Sequence, residues 1–228
     1  MIEFLLLDLD DTILDFHMQE AAAIRKTLSE AGIEPTDELC DLYSKINLRH
    51  WKMLEKGEIT RETLAWHRFQ ELFETLGVEG NSQKTGEIYW DHLACGHYFL
   101  PGAEAAVKAL AKKYQLYMVT NGTARVQYSR IASAGLAPYF KDIFVSQEIG
   151  VNKPEKAYFD VCFAKIPGFD RERAMIVGDS LSSDIRGGKN AGIKTCWVNP
   201  KGKAAPPENM PDYEIESIAQ LEALLETI

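Results

Sequence analysis

Residues Leu5 to Thr12 read LLLDLDDT, an apolar run that ends in clustered carboxylates. Asp8 and Asp10 stand two positions apart, and Thr12 two further on. If Glu3 to Asp8 is a strand, its apolar middle suits burial on both faces of a parallel sheet. Its carboxyl end then carries Asp8 to the sheet rim, where open α/β sheets place their chemistry. Carboxylates at the end of a buried strand need a compensating cation. Mg²⁺ is the natural choice for an all-oxygen site. The same letters also fit a strand followed by a solvated acidic turn.

Three further features fall at expected strand or helix boundaries. Thr120, Asn121 and Gly122 follow a strand in YQLYMVTNG, Lys153 precedes a helix in VNKPE, and Asp179 and Asp184 follow a strand in GDSLSSD. Taken singly they have ordinary readings: a capping hydroxyl, a surface lysine, a turn aspartate. Their order and placement together are far more specific.

The elements that must position these residues alternate from Tyr114 onward. The pattern predicts strands in YQLYMVTNG, AMIVGDS and TCWVN, a short strand and loop in KDIFVSQEIG, and helices over Ala124–Ala134, from Pro154 and over Ser182–Ala191. Such a β-α-β-α series implies a parallel sheet covered by helices. From His17 to Gly96 no strand is expected. Gln19–Glu30, Asp37–Lys56, Thr60–Leu76 and Ser82–Cys95 read as amphipathic helices, with Gly32, Gly57 and Gly77 at their ends. Thr60 with Thr63 lacks the glutamate of a strict capping box, though Thr60 still suits a helix start. Pro101 and Gly102 mark the return to the α/β part.

The 228 residues carry a net charge of -9, with 46% hydrophobic and 26% charged residues, an ordinary globular composition. The acidic balance argues against a general nucleic-acid or membrane surface. Four widely spaced cysteines without a CxxC suit reduced thiols in a cytoplasmic protein. The N-terminus lacks the basic segment of a signal peptide, and no apolar stretch is long enough for a membrane span. All five histidines (His17, His50, His67, His92 and His97) lie in or beside the helical segment. A Ser-His-Asp site within the α/β part is therefore not expected. No Walker loop, G-x-G-x-x-G or G-x-S-x-G occurs.

In these motifs the chain resembles the haloacid dehalogenase-like superfamily. D-x-D-x-T matches Asp8, Asp10 and Thr12; a strand ending in Thr matches Thr120; a lysine before proline matches Lys153 and Pro154; G-D-x-x-x-x-D matches Asp179 and Asp184. The resemblance implies a Rossmann-like parallel sheet core with helices on both faces, in residues 1–16 and 97–228, and an all-helical cap in residues 17–96. It implies that Asp8 is a nucleophile forming an aspartyl-phosphate. Mg²⁺ is then held by Asp8, Asp179 and the backbone carbonyl of Asp10, with Asp184 behind them orienting a metal water or Lys153. Thr120, Asn121, Gly122 and Lys153 hold the phosphate. Asp10 protonates the leaving alkoxide and then activates water, which favours a phosphatase or phosphomutase over a dehalogenase. Asp11 reads as a solvated turn residue.

In such enzymes the cap selects the substrate. LDFHMQEAAA and the stretch from Arg130 to Phe159 look like those of the pyrimidine 5′-nucleotidase group, although phosphoglycolate phosphatases share much of the second. The expected partner is a small phosphorylated metabolite, a nucleoside monophosphate before phosphoglycolate or a sugar phosphate, with no nucleic acid or membrane and a monomer or homodimer as the assembly. A phosphomutase and a non-catalytic binding protein are the other readings. Phe16 and His17 are candidate substrate contacts, and Trp51, Trp66 and Trp90 further ones, although aromatics on amphipathic helices more often pack a bundle core. Arg49 and His50 read as solvated.

Overall fold

Strand β1 (Phe4–Leu7) is buried at every residue. Its side chains alternate between two cores. Leu5 and Leu7 join Leu116, Met118, Met175 and Val177, whereas Phe4 and Leu6 join Tyr117, Val119, Phe159 and Ile176. A period of two serves two cores only when both sheet faces are covered. The computed structural model describes residues 1–228 and shows that cover. Besides β1 the sheet contains β2 (Gln115–Thr120), β3 (Asp142–Val145), β4 (Ala174–Gly178), β5 (Lys194–Val198) and β6 (Tyr213–Ile215), all parallel, in the order β3-β2-β1-β4-β5-β6. On one face, α5 (Ala103–Leu110), α6 (Ala124–Ser133) and α10 (Leu221–Leu225) contribute Val107, Ile131 and Leu221. On the other, α8 (Lys156–Lys165) and α9 (Arg186–Ala191) contribute Phe159, Cys162 and Ala191. The chain order reverses at β1, which lies between β2 and β4, the switch point where such sheets open a crevice.

Contacts divide the chain into two compact units, Met1–Phe16 with His97–Ile228, and His17–Gly96. The second unit is wholly helical, with the body of α1 (Phe16–Glu30), α2 (Asp37–Glu55), α3 (Arg61–Leu76) and α4 (Ser82–Leu93). Tyr43, Phe69 and Tyr89 pack together at its centre, with ring centroids 5.1 to 5.6 Å apart. A buried polar chain joins three helices: Asn47 donates to Glu20, and Arg68 donates to Asn47 at 2.8 Å. Gly86 lets α4 approach α3, because a Cβ there would lie 2.3 Å from the Ala65 carbonyl oxygen.

Several local expectations are corrected. A capping box does close at Thr60, because the Thr63 hydroxyl accepts from Thr60 N–H at 3.0 Å as a glutamate would. Helix α1 starts at Phe16 rather than Gln19, since the Asp11 carboxylate accepts from Phe16 N–H at 3.0 Å. The segment after β3 is not a loop but one helical turn, α7 (Ser146–Ile149). Helix α8 begins at Lys156 with Glu155 as its cap, so Pro154 stands ahead of it, in a cis peptide with Lys153. The helix expected over Ser182–Ala191 is split. Leu181–Ile185 forms a wide turn in which Ile185 N–H reaches Ser180 O at 3.1 Å, and α9 follows. The three-residue edge strand β6 was too short to be predicted.

Leu6 is fully buried. Leu6→Ala should therefore lower the unfolding free energy by about 2–5 kcal/mol in a denaturant titration.

Candidate active site

The sheet register sets the site. Leu7 pairs with Met118 on one side and Val177 on the other. Asp8 continues the strand, and its N–H bonds Val177 O at 2.9 Å. Asp8 therefore leaves the sheet beside the ends of β2 and β4. Lys153 reaches it from the loop before α8. Its ammonium is buried and donates to Asp8 Oδ1, Asp184 Oδ1 and the Val119 carbonyl, each at 2.7 Å. All three ammonium protons are thereby used. The Asn121 side chain holds the backbone of Lys153 by two bonds, accepting from Lys153 N and donating to Lys153 O, each at 2.9 Å.

Asp184 is 0% exposed, and its other oxygen accepts from Ser180 N–H at 3.1 Å. It fits only because residue 178 is glycine: a Cβ there would lie 2.2 Å from Asp184 Oδ2. Asp179 is anchored through its backbone, whose carbonyl accepts from Trp197 Nε1 at 2.7 Å. One carboxylate oxygen each from Asp8, Asp179 and Asp184 lie within 4.8 Å of one another.

This crowding shows in the acidities. Burial pushes Asp8 up to about 8, Lys153 opposes the rise, and Asp184 and Asp10 add to it. Burial raises Asp179 well above the ordinary carboxylate value, with Asp184, Asp8 and Asp11 reinforcing and Lys153 opposing. Burial alone would lower Lys153, but Asp184 and Asp8 outweigh it and hold it above the usual lysine value. One ammonium faces three carboxylates, and Asp184 has given its oxygens to Lys153 and Ser180. Asp8 and Asp179 keep hard oxygen donors available, the donor set that a small divalent cation takes.

Asp10 is placed differently. Both of its carboxylate oxygens turn to α6: Oδ1 accepts from Arg130 Nη1 at 2.5 Å and Oδ2 from Gln127 Nε2 at 2.8 Å. Gln127 Nε2 also donates to Thr120 Oγ1 at 2.7 Å, and Gly122 N–H donates to the same oxygen at 3.3 Å. With both lone pairs occupied, the Thr120 hydroxyl proton is left to donate outward. Reading the sequence missed Gln127 and Arg130. On a helix they look like ordinary amphipathic polar positions, three apart, and only their burial marks them.

The remaining candidates separate. The Phe16 ring lies 5.8 Å from the Arg130 guanidinium carbon, while His17 is exposed at the start of the helical unit. Trp51, Trp66 and Trp90 are half-buried rather than central to the helical core. Arg49 is exposed and paired with Glu71, but His50 is buried, not solvated, with Nδ1 bonded to Ile46 O at 3.0 Å. Asp11 takes a positive φ of 54° that aspartate tolerates, and it caps α1. His97 falls in the α/β unit, so that unit does have a histidine; it meets Ser133 Oγ at 2.9 Å in an exposed pair that contains no carboxylate. A groove of about 850 Å³ in the helical unit, lined by residues such as Trp66, Gln70, Phe73, Glu74 and Asn81, offers no lysine, arginine or histidine for an anion.

A family model described as haloacid dehalogenase-like hydrolase matches residues 2–192. The HAD-hydrolase YfnB of Bacillus subtilis (strain 168) is 41% identical over 221 residues, 97% of this chain and 94% of that protein. Its crystal structure bound to magnesium covers 98% of each chain with a TM-score of 0.94. The pyrimidine 5′-nucleotidase PynA of Streptococcus pneumoniae (strain ATCC BAA-255 / R6) is 36% identical over 96% of this chain and 93% of its own. The pyrimidine 5′-nucleotidase YjjG of Escherichia coli (strain K12) is 31% identical over 98% and 97%.

A carboxyl whose folded value lies above its unfolded one destabilises the folded state at any pH above the unfolded value. For Asp179 that ordinary value is 3.8. In chelator-treated protein at pH 7, Asp179→Asn should therefore raise the thermal midpoint in calorimetry. The gain should shrink as the pH falls toward 4, on the order of the ordinary carboxylate value.

Proposed function

The chain belongs to the haloacid dehalogenase-like hydrolases, and from that premise we propose that it is a Mg²⁺-dependent phosphomonoesterase working through an aspartyl-phosphate, with pyrimidine nucleoside 5′-monophosphates as substrates. The observation that carries the reaction class is the Asp8 carboxylate at the end of β1, with one oxygen on Lys153 and the other left for attack. The nucleotide preference rests on the likeness to PynA and YjjG over almost the whole chain. Residues 1–16 and 97–228 are the catalytic unit in this reading, and residues 17–96 the inserted cap.

Asp8 attacks phosphorus as the bond to the ester oxygen breaks, and the leaving alkoxide takes a proton from Asp10. Water then attacks the acyl-phosphate and gives its proton to Asp10, which frees phosphate and restores Asp8. The Lys153 ammonium, its three protons already engaged, acts on the phosphate through its charge and opposes the upward shift that burial imposes on Asp8. The Thr120 hydroxyl and the backbone amides of Asn121 and Gly122 hold the phosphate oxygens. Asp184 fixes Lys153 from behind. Asp8, Asp179 and the Asp10 carbonyl would hold Mg²⁺, which would supply charge that offsets the repulsion between nucleophile and phosphate. No helix is long and apolar enough to cross a membrane. The four unpaired cysteines suit a reducing compartment such as the cytoplasm.

Phosphate release should require Mg²⁺, with UMP, dUMP and dTMP turned over faster than purine nucleotides, sugar phosphates or phosphoglycolate. Asp8→Asn should abolish turnover, and Asp10→Asn should lower kcat by about 10²–10⁴. Wild-type turnover in Asp8→Asn would refute the mechanism. A preference for sugar phosphates would refute only the nucleotide assignment.

A further inference from the structure

Arg130 is a buried charge that the reaction above leaves without a task. Its side chain is 0% exposed, and its Nε and Nη2 are buried with no hydrogen-bond partner. A guanidinium so poorly satisfied is a costly way to fill a helix face. Its engaged nitrogen, Nη1, donates to Asp10 Oδ1 at 2.5 Å and to Gln127 Oε1 at 3.0 Å. Gln127, 1% exposed, uses Nε2 to bridge Asp10 Oδ2 and Thr120 Oγ1. The surroundings accommodate this bridge: a Cβ at Gly122 would lie 2.3 Å from Gln127 Cδ. The Phe16 ring covers the guanidinium from 5.8 Å.

We propose that Gln127 and Arg130 are positioning residues, which fix the Asp10 carboxylate for proton transfer and orient the Thr120 hydroxyl toward phosphate. The proposal rests on the reading of Asp10 as the group that handles the proton. A carboxylate has about four lone-pair sites, so the two bonds to α6 leave others for the ester oxygen or water. Small misplacement of such a group is expensive, about 10²-fold for 1 Å. Two donors from one rigid helix, one on each carboxylate oxygen, remove the rotations that would allow it.

The test is stopped-flow release of nitrophenolate from p-nitrophenyl phosphate with Mg²⁺. This leaving group needs no proton, so attack by Asp8 survives when Asp10 is misplaced, whereas water attack does not. Arg130→Met should keep an initial burst of about one nitrophenolate per chain. Its steady phase should slow by about 10- to 100-fold. Arg130→Lys should recover most of that rate, because one nitrogen makes the contact. Asp10→Asn should show the same slow phase, and the double variant should be no slower than Asp10→Asn alone.

Wild-type steady rates in Arg130→Met and Gln127→Met, beside a slow Asp10→Asn, would overturn the positioning role and leave the mechanism intact. Equal slowing of burst and steady phases in Arg130→Met, or additive losses in the double variant, would mark general structural damage and overturn it too. A wild-type steady phase in Asp10→Asn would instead sink the reading of Asp10 itself. If Arg130→Met does not fold, Arg130→Lys decides: an intact burst with a steady rate above that of Asp10→Asn but below wild type supports the proposal, and a full wild-type steady rate or a slowed burst overturns it.

Discussion

The buried ammonium of Lys153, shared between Asp8 and Asp184, is the interaction on which the site depends. Without it, two carboxylates would face each other in a pocket from which water is largely excluded. Removing one partner of such a buried pair typically costs about 3–5 kcal/mol, because the other charge is stranded. The lysine does not settle the electrostatics, however. Asp179 stands in the same cluster and remains displaced upward in acidity. The folded site thus disfavours ionisation of these carboxyls by themselves, and a bound cation would relieve that penalty.

Backbone geometry upstream makes the shared ammonium possible. The parallel register brings the ends of β1, β2 and β4 level, so one lysine side chain reaches a carboxylate from β1, a carbonyl from β2 and a carboxylate beyond β4. Gly178 leaves space for Asp184, and the widened turn at Leu181–Ile185 aims that side chain inward. Asn121 clamps the backbone of Lys153. Each of these is a short-range constraint in the service of one long-range contact.

A second polar system lies next to the first and shares no hydrogen bond with it. Asp10 is only two residues from Asp8, yet its carboxylate belongs to α6 through Gln127 and Arg130. The turn after Leu9 explains the divergence: residues two apart leave a strand in the same direction, but here the chain folds back so that Ile13 and Leu14 N–H both reach Leu9 O. Two neighbouring carboxylates thereby acquire different surroundings, the usual basis for dividing acid–base labour between them.

The sequence by itself determined the sheet, the helical insertion and the residues that meet at the rim, because apolar periodicity and charged strand ends are local signals. It placed β1 and its neighbours to within a residue or two. It misjudged the start of α8, the split before α9 and the capping hydroxyl of Thr63, all of them details of helix ends rather than of periodicity. Gln127, Arg130 and the buried state of His50 were invisible in the letters, since helical polar residues read alike whether buried or exposed. Only the tertiary structure decided which cation serves which carboxylate. Lys153 lies 145 residues from Asp8 and Arg130 lies 120 from Asp10. Such pairings exist only once the parallel strands have closed, because strand register, not sequence distance, sets which charges share a pocket.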